Sequence, residues 1–346
     1  MKKLLFVLIL LTLMAIPARA EDLTAPEPPS QAGQLLPAET ESFSSDLWYL
    51  LRRAIEIIEP EIPKCCGICL SLIGVSLLMS LLNCFPGPSK SVTGLCGSVV
   101  VGCIMLGSSG ELIHSAADTV RAISDYSKLL VPVLTAALAS QGGVSQSAAL
   151  YAGTAFFDTL LTSVIANALI PLAYIFVALS VAKGALGNDI LKRLQELVKW
   201  AIGWFLKLVL YVFTGYMTIT KVITGTTDQT ALKATKLTIS GMVPVVGGIL
   251  SDASETVLIS AGIVKNTVGV TGLLAVLAIA IGPFLKIGIQ YLLLKLTSAV
   301  CAMIGDKRTT ALIGDFSTAM GLMLAMTGTV CLLELISIVC FLMGAS

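Results

Sequence analysis

Charged residues are scarce in this chain of 346 residues. Lysine and arginine number 22 and aspartate and glutamate number 21, so charged residues make up 12% of the sequence and the net charge is +1. A soluble domain carries about 25% charged residues, and a nucleic-acid-binding domain adds a basic surplus. The composition disfavours both classes, and the 56% hydrophobic share points to a membrane protein.

Groups that carry catalysis are equally scarce. His114 is the single histidine, which disfavours histidine catalysis and multi-histidine metal sites. Residues 107–110 match the G-x-S-G of intramembrane serine proteases. In those enzymes a histidine on a second helix acts as the base, whereas His114 lies in the same segment as the serine. Cys66 and Cys69 form a C-x-x-C without a second cluster, and no nucleotide-binding loop is present. We predict no catalytic residue, no cofactor and no metal, and hence not an enzyme.

The N-terminus has the three parts of a secretory signal. Lys2 and Lys3 precede an apolar run, which ends before the small-residue site at 18–20. Residues 1–20 are therefore predicted to be a cleaved signal peptide, with Glu21 as the mature N-terminus outside the cytoplasm. Polar residues rich in proline and glutamate follow as far as residue 41.

An amphipathic helix is predicted over residues 42–60. Trp48, Leu51, Ile55 and Ile58 recur at helical spacing, with charged residues between them. Such a helix either lies on the membrane or packs against other parts of the protein, and the pattern leaves both open. Residues 21–64 are thus predicted to be an extracytoplasmic lead, and 65–346 a polytopic membrane domain.

The membrane domain is predicted to be all-α with about six to eight membrane helices, from the number of apolar segments near 20 residues long. Basic residues cluster at 183–199 and at 307–308, each time just before an apolar segment. The positive-inside rule places both clusters in the cytoplasm.

The second half of the domain has an internal resemblance. Residues 129–222 and 241–343 share a Val-Pro-Val start, a proline in an apolar run and a glycine-containing polar turn, in that order. The two copies are predicted to run parallel. Pro132 and Pro244 mark apolar pieces too short to span, so broken or re-entrant helices are expected there.

Five ionisable residues stand out because they fall within or at the edge of apolar segments: Asp158, Lys207, Lys286, Lys295 and Glu334. Charge is costly in a membrane, so such residues usually face a bundle interior or a watery cavity. The two carboxylates either line a polar path or form a structural pair that fixes helix packing. The sequence leaves these alternatives open.

Three short motifs give the chain a family resemblance. Residues 241–248 read GMVPVVGG, residues 251–257 read SDASETV, and residues 265–269 read KNTVG. In this order, and with the signal, lead and multi-spanning body around them, they resemble the stage III sporulation protein AE family.

The resemblance implies a place in endospore formation. It implies a multi-pass protein of the mother-cell membrane that surrounds the forespore, in a secretion-like channel complex linking the two cells. Its partners would be other stage III sporulation membrane and ring proteins and an ATPase. The family supplies no catalytic residues.

The alternative function is a secondary transporter of ions or small molecules, with a mid-membrane site between the two repeats.

Overall fold

The structure is a computed structural model, and it describes residues 25–36, 43–84, 90–140, 144–223, 267–304 and 307–344. All regular elements in these ranges are helical. They are α1 (Ser30–Gly33), α2 (Phe43–Ile58), a 3₁₀ turn (Glu59–Glu61), α3 (Ile62–Cys84), α4 (Lys90–Ser140), α5 (Val144–Val164), a π-helical turn (Ile165–Leu169), α6 (Ile170–Leu186), α7 (Asp189–Ile223), α8 (Thr267–Ile304) and α9 (Lys307–Gly344).

Six helical segments of the described chain are long and apolar enough to cross a membrane. They are Phe43–Cys84, Val92–Ala139, Gln146–Leu186, Asp189–Thr220, Val268–Met303 and Lys307–Met343. This confirms the predicted polytopic α-helical class. The second has 48 residues, or about 72 Å at 1.5 Å per residue, against a hydrocarbon core of about 30 Å. Its helix therefore extends well beyond the bilayer.

The helix α9 is the centre of the bundle. In its most apolar stretch 89% of residues are buried, whereas the corresponding share in the other five spans lies between 28% and 50%. It packs against α8, α4, α6, α7 and α5. Because the other helices surround α9, its contacts determine how those helices are arranged.

The turns that carry the basic residues meet at one end of the bundle. Gly187 ends α6 in the left-handed conformation, with φ of 66°, and its N–H donates to the Lys183 carbonyl at 2.8 Å. The Arg308 side chain, at the start of α9, lies against Gly187 and Gly94, and a Cβ added at Gly94 would come 2.9 Å from the Arg308 Cδ. The start of α4, the α6–α7 turn and the start of α9 therefore share one end, which we call the basic end.

Glycine brings α5 and α7 into close contact elsewhere. A Cβ on Gly153 would lie 2.0 Å from a ring carbon of Tyr216, so only glycine leaves room for this ring. The Tyr216 hydroxyl donates to the Ala149 carbonyl at 2.8 Å. The two helices are thus held by ring packing and by one polar bond to the backbone.

Residues 43–58 form the helix α2, which packs against α8, but its buried face is not the predicted stripe, since Trp48 and Ile55 are exposed. Its buried stripe is Asp46, Leu50, Ala54 and Ile58, four residues apart in the chain and therefore on one face. Trp48 remains 73% exposed. Packing against the protein thus accounts for one face, and the opposite face is left free to lie on a membrane.

The predicted break at Pro132 is wrong. Pro132 lies inside α4, which continues from Lys90 to Ser140, so residues 129–139 are the end of a long helix and not a re-entrant piece. Proline removes one helical N–H and clashes with the preceding turn. The apolar contacts of the neighbouring Val131 and Leu134, both buried, hold the helix together at this point. Pro244 and the start of the second predicted repeat lie outside the described residues.

The topology can be tested by cysteine labelling. We expect a cysteine at the exposed Lys192, beside the basic end, to be protected from an impermeant maleimide in intact non-sporulating cells that carry the protein in their cell membrane. A cysteine at the exposed Asp125, far along α4, should be labelled. Both are placed in a background with the nine native cysteines replaced by alanine, and both should label after lysis. Labelling at position 192 before lysis would contradict the cytoplasmic placement of the basic end.

Pro132→Ala is expected to leave α4 intact and to stabilise it. Alanine restores the N–H that proline lacks and is up to about 3 kcal/mol more favourable in a helix interior. The measurement is thermal unfolding of the purified protein in detergent, with Ala136→Pro, one turn on in the same helix, as the matched opposite change. A marked loss of stability in Pro132→Ala would show that the structure requires the proline.

Candidate functional site

A polar cluster lies between three helices whose surroundings are mostly apolar. The face of α4 that turns towards α5 and α9 carries Ser124 and Ser127, three residues apart and both buried. In a helix this spacing puts both hydroxyls on the same side. Asp158 of α5 and Glu334 of α9 complete the cluster.

Each carboxyl group accepts a hydrogen bond from one of the serines. The Ser124 hydroxyl donates to Asp158 Oδ2 at 2.8 Å, and the Ser127 hydroxyl donates to Glu334 Oε2 at 2.8 Å. A longer contact of 3.5 Å joins the Thr162 hydroxyl to Asp158 Oδ1. One helix therefore holds the carboxyl groups of two others through its serines.

The two carboxyl groups lie near each other, and Glu334 Oε1 has no hydrogen-bond partner among the described residues. Asp158 is 3% exposed and Glu334 is fully buried. Two ionised carboxylates in such a place would repel each other and would each lose their hydration. A proton on one of the two carboxyl groups would remove this repulsion. Such a pair is therefore a candidate site for a bound proton.

The polar stripe continues one turn further along α5 and α9. The hydroxyls of Thr154 and Ser337 are 2.5 Å apart and buried. Thr154 precedes Asp158 by one turn, and Ser337 follows Glu334 by nearly one turn, as expected for two antiparallel helices. The stripe therefore fixes the rotation of α5 relative to α9.

The cation nearest to this pair is at the surface. Lys128 is close enough to attract Asp158, but its ammonium group is exposed and forms an ion pair with Asp125 at 2.8 Å. The cluster is therefore a carboxyl pair held by hydroxyl groups, and not an ion pair between opposite charges.

The structure brings together only two of the five predicted positions. Asp158 and Glu334, 176 residues apart in the sequence, lie near each other beside the two serines of α4 (334 − 158 = 176). Pro132 lies on the same helix as the serines but its side chain is exposed. Lys207 is exposed on α7, in a separate groove. Pro244 lies outside the described residues.

Sequence reasoning missed the serines. Ser124 and Ser127 lie in the apolar stripe of residues 112–123 extended by one turn, at the positions where that stripe would place its next buried residues. A serine at such a position indicates, from the sequence alone, a buried polar contact. The sequence does not reveal which residue the serine contacts, because that residue lies on another helix.

A second polar cluster lies towards the basic end. Lys183 of α6 forms an ion pair with Asp315 of α9. Its ammonium group also donates to Gln195 Oε1 at 2.7 Å, and the Gln195 amide donates to the Ser180 hydroxyl at 2.7 Å. This cluster joins α6, α7 and α9. It is held by one ion pair and two hydrogen bonds between side chains.

No metal site is evident in the part of the chain that the structure describes, where no three His, Cys, Asp or Glu side chains are grouped to hold an ion. All nine cysteines lie in this part and are free thiols. Cys66 and Cys69 open the span of α3 without a further ligand.

The fold and the site together define a polytopic α-helical membrane protein with a buried carboxyl pair between its helices. Residues 34–345 match the model of the family described as stage III sporulation protein AE. The chain belongs to this family.

A curated relative supports the assignment. It is the stage III sporulation protein AE of Bacillus subtilis (strain 168), 26% identical over 202 residues, which are 58% of this chain and 51% of that protein. The match thus spans about half the length of the curated relative. No solved structure matches the chain.

The carboxyl pair predicts a clear difference between conservative and truncating changes. Glu334→Gln keeps an oxygen for the Ser127 hydroxyl and relieves the carboxyl repulsion, so the protein should be about as stable as the wild type. Glu334→Ala leaves the Ser127 hydroxyl without its partner and opens a cavity, at a cost of roughly 2–4 kcal/mol. Thermal unfolding of the purified protein is the measurement. The control pair, Glu111→Gln and Glu111→Ala at an exposed position, should differ little. Equal stability of the two Glu334 variants would contradict the role of this pair in packing.

Proposed function

We propose that this protein is a non-enzymatic membrane component of the stage III sporulation complex, a secretion-like channel assembly that links mother cell and forespore. The observation that carries the proposal is the family match over residues 34–345. The six apolar helices support it, because they suit a component that is built into a membrane.

The long helices support a platform role. Because α4 is far longer than a bilayer requires, its polar part from Glu111 to Lys128 projects an exposed face with charges of both signs. Such a face offers contacts to proteins outside the membrane. The proposed partners are other stage III sporulation membrane and ring proteins, together with an ATPase. Since the sequence has no nucleotide-binding loop, the ATPase would provide the energy.

The proposed location is the mother-cell membrane around the forespore, with the mature N-terminus outside the cytoplasm. In this orientation the basic end faces the mother-cell cytoplasm, where the ATPase would be present. The other end of α4 faces the space between the two membranes, where ring proteins would assemble.

A second candidate function follows from the carboxyl pair. Asp158 and Glu334 share a buried site between three helices, which is an arrangement suited to carrying a proton through a helix bundle. A secondary transporter of ions or small molecules would use such a pair directly. A platform would use it only to fix the packing of α4, α5 and α9.

Neutral variants of the pair separate the two functions. We expect Asp158→Asn and Glu334→Gln to accumulate in the membrane like the wild type, because hydrogen bonding survives. If the pair carries protons, at least one of them should block sporulation after engulfment when it replaces the native copy in a spore-forming host. Spore counts and membrane immunoblots are the measurements, and Glu111→Gln is the control.

Co-purification and transport provide the decisive comparison. A complex component should bring stage III partners with it from sporulating cells, and it should show no proton flux alone in sealed vesicles. Proton flux in vesicles that is lost in Asp158→Asn would establish the transporter instead. Recovery of the protein without any stage III partner would overturn the platform proposal.

A further inference from the structure

A groove of about 550 Å³ opens between α7, α8 and α9, and three lysines line it: Lys199, Lys207 and Lys295. Glu196 is the single acidic residue in its lining. In the described part of the chain these lysines form no ion pair. The groove therefore carries a surplus of two positive charges that no described residue neutralises.

The walls of the groove indicate that it opens to lipid. Trp200 and Trp204 line it, stacked with their ring centroids 6.1 Å apart, and they are 63% and 52% exposed. On α8, Leu292 and Leu296 do not line the groove but are next to its lining residues in the chain, and they are 64% and 62% exposed. Large apolar side chains in such exposure suit contact with acyl chains. Tryptophan also favours the level of the headgroups.

The depth of the lysines suits a headgroup at the cytoplasmic surface. Lys199 lies ten residues after Asp189, the start of α7, and Lys295 lies nine residues before Ile304, the end of α8. At 1.5 Å per residue both are about 14–15 Å along their helices from the basic end. Two lysines from different helices thus lie at one level, while Lys207 is about 12 Å deeper along α7.

The deeper lysine requires an anion. A lysine within the apolar zone can extend its side chain towards the surface, but its charge stays costly unless it meets a negative group. Three of the residues that line the groove are small: Gly203, Gly321 and Ala325. They therefore leave a slot along which an acyl chain can lie while the phosphate is held at the level of the lysines.

We propose that this groove binds an anionic phospholipid, with the headgroup phosphate held by Lys199 and Lys295 and attracted by Lys207, whose side chain extends towards it, and with an acyl chain along the slot. Basic pockets between membrane helices on the cytoplasmic side suit such headgroups. The lipid would join α7 to the α8–α9 pair on a side where these helices leave a gap between them.

The chain offers a direct probe because it has three tryptophans and two of them line the groove. Trp48→Phe removes the third, which lies on α2. The protein is reconstituted in vesicles of phosphatidylcholine and phosphatidylglycerol in which one lipid or the other carries bromine on its acyl chains. Bromine quenches tryptophan at contact, so quenching reports which lipid occupies the groove.

We expect brominated phosphatidylglycerol to quench far more than brominated phosphatidylcholine at equal mole fraction. Each lysine should contribute roughly fivefold to the preference, so Lys199→Gln, Lys207→Gln and Lys295→Gln together should abolish it. The three corresponding arginine substitutions keep the charge and should retain it. A charge-matched control, Lys192→Gln with Arg193→Gln and Lys307→Gln, lies outside the groove and should also retain it.

Several results would overturn the proposal. Equal quenching by the two lipids would show that the groove does not select an anionic lipid. Loss of the preference in the control triple would show that it comes from the general surface charge. Loss of the preference on addition of soluble glycerol 3-phosphate would show a site for free phosphate. If the triple glutamine variant does not accumulate, the single variants Lys199→Gln and Lys295→Gln take its place. Each should lower the preference for phosphatidylglycerol roughly fivefold. An unchanged preference in both would refute the site.

Discussion

The burial of α9 by the surrounding helices is the constraint on which the rest of this structure depends. Lipid offers no hydrophobic drive between helices, so close packing and a few polar contacts must hold them together. Most of α9 is buried, including the side chains of Phe316, Met323 and Leu333. The neighbouring helices can therefore be exposed on their outer faces without loosening the bundle, and those outer faces remain free for lipid and partners.

Two polar clusters fix the register of this packing. Glu334 meets Ser127 and Asp158 towards one end of α9, and Asp315 meets Lys183 towards the other. They are 19 residues apart (334 − 315 = 19), or about 28 Å along the helix. Apolar contacts tolerate a rotation or a shift along the axis, whereas a buried carboxyl group must meet its partner. The first cluster brings together two groups that carry the same charge when ionised, while the second joins groups of opposite charge.

The charged residues distinguish the two ends of the bundle and mark one of its sides with a lysine-lined groove. Arg308 and the turns near it form the basic end, and the charged face of α4 projects at a distance from it. Between them the groove beside Trp200 and Trp204 collects three lysines without partners in the described chain. The protruding helix and the lysine groove are the features on which the proposed platform role and the proposed lipid site depend. The family membership connects the chain to sporulation.

Composition and periodicity by themselves determined the class of this protein, its helical membrane spans and the amphipathic helix of residues 43–58. They also showed that Asp158 and Glu334 lie in apolar segments. These features can be read from the sequence because they depend on the local solvent and on the helical repeat. The proline rule failed at Pro132, since the packing of Val131 and Leu134 holds α4 together across the missing hydrogen bond. Only the tertiary structure decided that the two carboxyl groups share one site, that Ser124 and Ser127 hold them, and that Lys207 lies elsewhere, with Lys295 of another helix. These contacts join residues far apart in the chain, and their distances follow from how long helices pack, which no local pattern specifies.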